Sequence, residues 1–321
     1  MGIFSRKTTS PEAPASNSIL AQYAPQIMGE NLNQLVTYIT PRLQRNDAMK
    51  CSALARARNL ICGTGATIPM ALYRKSTGEE LGSPVWLEQP SLAQPRFVTI
   101  SWTLDSLMLY GVAYWEVTEV YEEDGRPKRF EWVANNRVTY TTNQYGTEVK
   151  DYFVDGNLVP MAGIGSLVTF QSLIPGVLQT ASTTIRAAYD IQKASAVSAA
   201  TPMPTGILKN NGADLPESQV QGLLAAFKSA RQNRSTAYLT STLEYVPTSF
   251  SPKDMGYTEM SQYLSTEIAR SMNVPAYLIS SDMNNSMTYQ NIIDGRKEFV
   301  AYSLQPYISA IEDRLSMNDI T

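Results

Sequence analysis

DMGYTEMSQYLSTEIARSMNVPAYLISSDMNNSMTYQNIIDGRKEFVAYSLQPYISAIEDRL runs from Asp254 to Leu315. Its spacing predicts a helix, a short polar loop and a second, longer helix. Met260, Leu264, Ile268 and Met272 recur every four residues, which puts them on one helical face. Asp254 is the expected N-cap, and Pro275, two residues after Asn273, the expected stop. Val300, Leu304, Ile308, Ile311 and Leu315 mark one face of the second helix. Pro306 inside that helix is expected to kink it, because it removes a backbone donor. Between the helices lies SSDMNNSMT, Ser280 to Thr288, whose only apolar residues are its two methionines. A loop of small polar groups between two long helices suits a surface that touches something without gripping it.

Composition bounds the rest. The 321 residues are 43% hydrophobic, enough for one sizeable core or for two or three modules. With 26 basic and 29 acidic residues the net charge is −3, so the whole chain carries no strong electrostatic footprint for nucleic acid or acidic membranes. Weak DNA contact stays compatible with that balance. Histidine is absent, which removes Ser-His-Asp and Cys-His catalysis and histidine metal sites together. Cys51 and Cys62 are the only cysteines, too few for a disulfide framework. They are expected to be buried free thiols in a reducing compartment. No run of 18 apolar residues occurs, so neither a transmembrane helix nor a membrane partner is expected. MGIFSRKTTSPEAPASN lacks the apolar core of a signal peptide, and Arg6 stands where myristoylation needs Ser or Thr. Residues 1–17 are expected to be disordered.

Between that tail and the opening stretch the patterning changes several times. Leu35, Val36, Tyr38 and Ile39 form an apolar patch closed by Pro41. A helix is expected from Asp47 to Cys62, with Leu54, Ala57, Leu60 and Ile61 as its stripe and Arg56 and Arg58 off it. GTGAT, Gly63 to Thr67, is expected to break it, and IPMALYRK to form a strand. The Gly-x-Gly follows a helix and lacks a third glycine, so it makes a poor phosphate cradle, and no P-loop occurs. Phe97 to Tyr110 reads as a helix with Phe97, Ile100, Leu104 and Leu107 on one face, ended by Gly111. VAYWEVTEVY, RFEWVANNRVTYTT, VKDYFVDG and LVTFQ read as four strands, with hairpin turns at Asp124-Gly125 and Asp155-Gly156. Trp115 and Trp132 are expected in the core or on sheet faces.

Residues 178–200 read as a helix of Ala, Ser and Thr with a thin apolar face at Ile185, Ala188, Ile191 and Ala196. Such a helix buries too little to hold itself in place. It fits either between helices of neighbouring copies or on the surface of one domain. Beyond Pro202 and Pro204 come a short strand TGILK, a helix start at Asp214 with Val220, Leu223, Leu224 and Phe227 on its apolar face, and a strand in AYLTSTLEYVPTSF. Lys209, Lys228, Arg231 and Arg234 give this stretch a basic excess, readable as a solvated face or as a contact with DNA or a partner.

Taken in order, these features resemble the HK97-like family of tailed-bacteriophage portal proteins, from about Leu54 to the C-terminus. EIARSMNVPAYLI (Glu267 to Ile279) is similar to the family's IA-x-x-F-x-VP-x-x-L segment. MTYQNIIDGRKEFVAYSLQPYISAIEDRL resembles its polar segment and long helix ending in L-x-P-x-x-x-x-I-E-x-x-L. Pro204-Thr-Gly206-Ile207-Leu208 and Ile68-Pro69-x-x-Leu72-Tyr73 match two further motifs. The family's Gly-Asn-Ala-Tyr is Gly111-Val112-Ala113-Tyr114 here, a frequent histidine is Thr169, and no G-x-S-P stands near Gly176.

The resemblance implies an α+β portal fold with an α/β wing, a two-helix stem, a small α/β clip and a long kinked C-terminal helix. Its division would be wing 18–175, stem helix 176–201, clip 202–249, second stem helix 250–274, tunnel loop 275–288 and wing helix 289–321, with a crown absent or minimal. It implies a ring of twelve at one capsid vertex of the virion, assembled in the host cytoplasm, through which double-stranded DNA is packaged and ejected. Terminase large subunit, head–tail adaptor, major capsid protein and scaffolding protein would be partners. Ser280, Ser281, Asp282, Asn284, Asn285, Ser286 and Thr288 would face DNA, Arg186, Lys193 and Arg270 would lie on the stem, and Lys209, Lys228, Arg231 and Arg234 would dock partners. No catalytic residue, metal or cofactor is expected.

Chemistry agrees with that role. Each Lys or Arg on a phosphate adds affinity through counterion release, with a salt slope of about 0.9 per phosphate. SSDMNNSMT has no such residue, and Asp282 adds repulsion. Two alternatives stand beside the conduit. A monomeric scaffold or adaptor would bind protein partners without forming a ring. A metal-dependent nuclease would need converging carboxylates, whereas Asp282, Asp294, Glu298 and Glu312 are scattered without a motif.

Overall fold

In a computed structural model that describes residues 43–145, 148–200, 206–213, 215–232, 241–247, 256–279 and 295–321, the first long helix lies further along than its sequence pattern suggests. One turn, α1 (Arg45–Ala48), precedes α2 (Ser52–Thr67), and Cys51 is the N-cap of α2. GTGAT therefore continues the helix instead of breaking it. The reason is tertiary. A Cβ at position 65 would stand 2.6 Å from Leu104 Cδ1, so glycine lets the next long helix approach. That contact outweighs the ~1 kcal/mol propensity cost of each helical glycine. IPMALYRK, expected as a strand, forms a single bridge between Tyr73 and Glu80, because the chain turns back at Gly78 within a few residues. Cys51 and Cys62 are buried and unpaired.

A short helix, α3 (Val85–Glu88), leads to α4 (Arg96–Tyr110). Gly111 ends α4 at φ 78°, as its type suggests, with its N–H on the Leu107 carbonyl. Ile100, Leu104 and Leu107 are buried, whereas Phe97, expected on that face, is 46% exposed, and Thr99 of the same turn is buried in its place.

Strand β1 (Val112–Val120) runs down the middle of an antiparallel sheet, flanked by β2 (Pro127–Val133) and β6 (Leu167–Gln171). Trp115 anchors it: its ring meets Phe130 and Phe170, and its Nε1–H donates to Thr103 Oγ1 on α4 at 2.8 Å. RFEWVANNRVTYTT is not one strand. A 3₁₀ turn, Asn135–Arg137, separates β2 from β3 (Val138–Thr142), and the two strands join different sheets. Asn135 causes the break, donating its buried side-chain amide to the Val112 carbonyl at 2.7 Å. The second sheet is β3, β4 (Val149–Val154) and β5 (Asn157–Leu158), with the expected turn at Asp155-Gly156 carrying φ values of 50° and 84°.

Two helices follow, α5 (Val177–Thr180) and α6 (Ser182–Ala200). Within α6 the one buried residue is Ile185, so the thin apolar face is thinner still. A small unit contains β7 (Gly206–Asn210), α7 (Glu217–Gln232) and β8 (Leu243–Pro247), with the strands antiparallel. Helix α8 (Tyr257–Ser271) begins after Gly256, whose φ of 61° cannot continue a helix. It starts two residues later than an Asp254 cap would place it; Asp254 lies outside the described residues. Leu264, Ile268 and Met272 are buried as expected, and Met260 is 48% exposed.

The expected kink at Pro306 takes the form of a wide turn. Backbone at 295–298 is α-helical, Phe299–Leu304 is π-helical, and α10 (Gln305–Leu315) follows; α9 (Ala276–Ile279) lies upstream. The wide turn rotates the buried face, so Phe299 goes inward and Val300, expected there, is 41% exposed. Leu304, Ile311 and Leu315 are buried, and Ile308 is half-buried against them. One core joins α2, α4, the inner face of the β1 sheet, α8 and α10.

Candidate functional site

Two helices meet where the polar loop leaves the described chain. Helix α8 ends on Asn273, at φ 52°. Val274 N–H bonds the Ala269 carbonyl at 2.9 Å and Asn273 N–H the Arg270 carbonyl at 3.0 Å, the paired bonds of a Schellman stop with Asn in place of Gly. Asn273, not Pro275, terminates the helix; the proline follows the stop. Across the gap, the Asn273 side-chain amide donates to the Tyr302 carbonyl, and Ser303 Oγ donates to the Asn273 carbonyl, each at 2.5 Å.

The base of the loop is closed. A side chain at Gly295 would collide with Tyr277 Oη, so the segments entering and leaving the loop lie against each other there. Tyr277 Oη is buried with no partner among the described residues, and burial, then Glu298, pushes its pKa up. From α2, Arg56 Nε donates to the Leu278 carbonyl at 3.4 Å. The loop residues themselves, Ser280, Ser281, Asp282, Asn284, Asn285, Ser286 and Thr288, lie outside the described residues.

Helices α6 and α8 pack side by side, with Ile185, Leu264 and Ile268 buried. Beyond Ala188 most of α6 is uncovered, and Val197 is 59% exposed. The expected cations sit on this pair but are not brought together into one site. Lys193 is exposed, Arg186 is half-buried, and Arg270 is spent on an ion pair with Glu267 one turn back.

In the small unit, Lys209 lies on β7 directly opposite Glu244 of β8, so part of its charge is offset across the ribbon. Lys228 is exposed on α7. The side chain of Arg231, and all of Arg234, lie outside the described residues. Phe227 packs on Tyr245 at 5.6 Å between ring centroids, while Val220 and Leu224 of the same helix stay 37% and 51% exposed.

Sequence reasoning missed Asp105. This carboxylate, 4% exposed, sits mid-helix in α4 and accepts from Arg45 Nε at 2.9 Å and Arg58 Nε at 2.7 Å. Its hydrogen bond holds the Arg45 pKa above the ordinary value against the opposing effect of burial. An acidic residue inside the apolar run TISWTLDSLML was the available signal. Among the described residues, no group of three or more His, Cys, Asp or Glu is placed to hold a metal, and no helix is long and apolar enough to cross a membrane.

The family profile "Phage portal protein" matches residues 52–318. The chain belongs to the phage portal protein family. Its helix-and-sheet fold is that of the HK97-like portals: over 87% of this chain and 92% of the other, it superposes on an HK97 family phage portal protein from Corynebacterium diphtheriae with TM-score 0.69 and 25% identity. The probable portal protein of Streptomyces phage phiC31 is 26% identical over 97% of this portal-family chain and 73% of its own length. A chain in the neck of a native gene transfer agent particle, computed with C12 symmetry, shares the portal fold at TM-score 0.56, with 20% identity over 88% of this chain and 84% of its own.

Proposed function

We propose that this portal-family chain assembles as a closed ring of twelve at one capsid vertex of the virion, and that DNA enters and leaves through the ring's axis. The observation that supports this best is the match across residues 52–318 to a family of phage portals, joined to the portal fold. The C12 neck in which a chain of the same fold occurs is consistent with twelve copies. In this reading residues 18–175 and 289–321 make the wing, 176–201 and 250–274 the stem, 202–249 the clip and 275–288 the tunnel loop. The mostly uncovered surface of α6 suits packing between stems of adjacent copies, where small residues allow close approach. The loop from Ser280 to Thr288, uncharged apart from Asp282, lines the channel without holding phosphates.

Terminase during packaging, and the adaptor afterwards, dock on the clip through Lys209, Lys228, Arg231 and Arg234. Major capsid and scaffolding proteins contact the wing, and assembly takes place in the host cytoplasm. The role is structural, with the energy of packaging supplied by a separate motor. Mass photometry of the purified protein tests the ring: particles at many times 35.5 kDa are expected. A strict monomer at every concentration, alone and with scaffolding protein, would favour the adaptor reading.

A further inference from the structure

We propose that Asn211-Gly212, in the turn after β7, is a site of spontaneous covalent modification through a succinimide, and that the side chains of Asn210 and Glu244 hold it closed in the folded chain. It is the one Asn-Gly pair in the sequence. In the first step the Gly212 backbone nitrogen attacks Cγ of Asn211. The N–Cγ bond forms, the Cγ–Nδ2 bond breaks, and the Gly212 amide proton departs with Nδ2 as ammonia. Water then opens the imide at either carbonyl, leaving aspartate or isoaspartate. Glycine favours the attack, because no Cβ shields its nitrogen. Asn211, Gly212 and Ala213 are all exposed, so water reaches the turn. The glycine is also structural: a Cβ at position 212 would stand 3.2 Å from Thr242 Cγ2, so a larger residue would press on the ribbon.

Both reacting groups have other partners in the fold. Gly212 N–H donates to Asn210 Oδ1 at 3.0 Å, and Asn210 Nδ2 donates to the Ala213 carbonyl at 2.8 Å, so Asn210 braces the turn on both sides of the attacking nitrogen. Asn211 Nδ2 donates to Glu244 Oε2 at 3.4 Å on the facing strand β8, which draws the carboxamide across the ribbon. Asn211 N–H donates to the Thr242 carbonyl at 2.8 Å. While these bonds stand, the nitrogen is turned to one side chain and the carboxamide is tied to another. The ribbon gives them little cover. Ile207 and Val246, opposite each other beside the turn, are 61% and 38% exposed, so local opening, not global unfolding, sets the rate. The product keeps the ribbon from closing again. A carboxylate at position 211 stands beside Glu244, where like charges repel, and isoaspartate adds a backbone carbon that displaces the Thr242 bond.

Peptide mass mapping of the full chain, aged in mildly alkaline buffer, tests this, with the same chain in guanidinium chloride as the unrestrained reference. Folded wild type is expected to convert several-fold more slowly than the reference. Asn210→Ala is expected to convert about fivefold faster than wild type, the population change that one net hydrogen bond makes. Asn210→Asp keeps an acceptor for Gly212 N–H and is expected to stay near the wild-type rate. Equal rates in wild type and Asn210→Ala would overturn the proposal, as would folded wild type that converts as fast as the reference. Asn210→Asp as fast as Asn210→Ala would remove the Gly212 bond as the restraint. Absence of aspartate and isoaspartate at this position in every folded sample would remove the site itself.

Discussion

Asn273 and Tyr302 are joined across two helices: the Asn273 amide donates to a carbonyl whose ordinary α-helical partner would be the nitrogen of Pro306. Proline has no N–H, so the bond satisfies an acceptor that the proline leaves open. The same asparagine holds the positive φ that stops α8. Asn273→Gly should cost about 1 kcal/mol, the usual net worth of one hydrogen bond. Asn273→Ala should cost about 2 kcal/mol, because alanine also resists the left-handed conformation. Urea denaturation distinguishes them; equal losses would mean that backbone conformation contributes nothing at this junction.

Gly63 and Gly65 lie two apart in α2 with opposite surroundings. A methyl at position 63 meets nothing within 4 Å, whereas at position 65 it strikes Leu104. Gly63→Ala should therefore stabilise by up to about 1 kcal/mol through helix propensity. Gly65→Ala should destabilise by about 1–3 kcal/mol through overpacking. If GTGAT were a break, both changes would act alike on the melting temperature.

Burial pushes the Cys62 thiol from 9.0 up to about 12 and the Tyr307 phenol from 10.0 up to about 12. Both folded values are raised, so their contribution is full below the unfolded pKa values. It is lost as pH climbs toward 12, because the unfolded chain releases protons first. Between pH 9 and 12 stability should fall by at most about 1.4 kcal/mol per pH unit for each group that has begun to ionise in the unfolded chain. Cys62→Ala should flatten the fall most between pH 9 and 10, where the cysteine titrates ahead of the tyrosine in the unfolded chain. A slope unchanged in that variant would place the thiol in contact with water.

Deleting Ser281 to Ser286 should leave ring assembly intact and impair DNA packaging or retention, since Tyr277 and Gly295 close the base of the loop independently of its tip. Imaging of rings and nuclease-protected DNA per particle would separate the two effects. Loss of rings would make the loop a structural element.

Reversing charge at Arg231 and Arg234 should weaken terminase or adaptor docking several-fold, measurable as pull-down affinity at two salt concentrations. Unchanged binding would remove these arginines from the docking surface.

The family and much of the element order could be read from local pattern. Apolar residues three or four apart marked α8 and α10, Gly111 marked the end of α4, and alternation with Asp-Gly turns marked the strands, because each signal acts within a few residues. Local pattern misjudged GTGAT, Val300 and the Asn135 break, where the deciding partner is distant in sequence. Leu104 allows α2 to run through its glycines, the Val112 carbonyl draws Asn135 out of the strand, and the wide turn before Pro306 rotates a helical face. Asp105, too, has a visible reason only once Arg45 and Arg58 stand beside it. Sequence by itself determined the long helices and most of the sheet strands, and which family they compose. Tertiary structure alone decided where those segments stop and which face turns inward, because close packing and the pairing of buried polar groups outweigh propensities of about 1 kcal/mol.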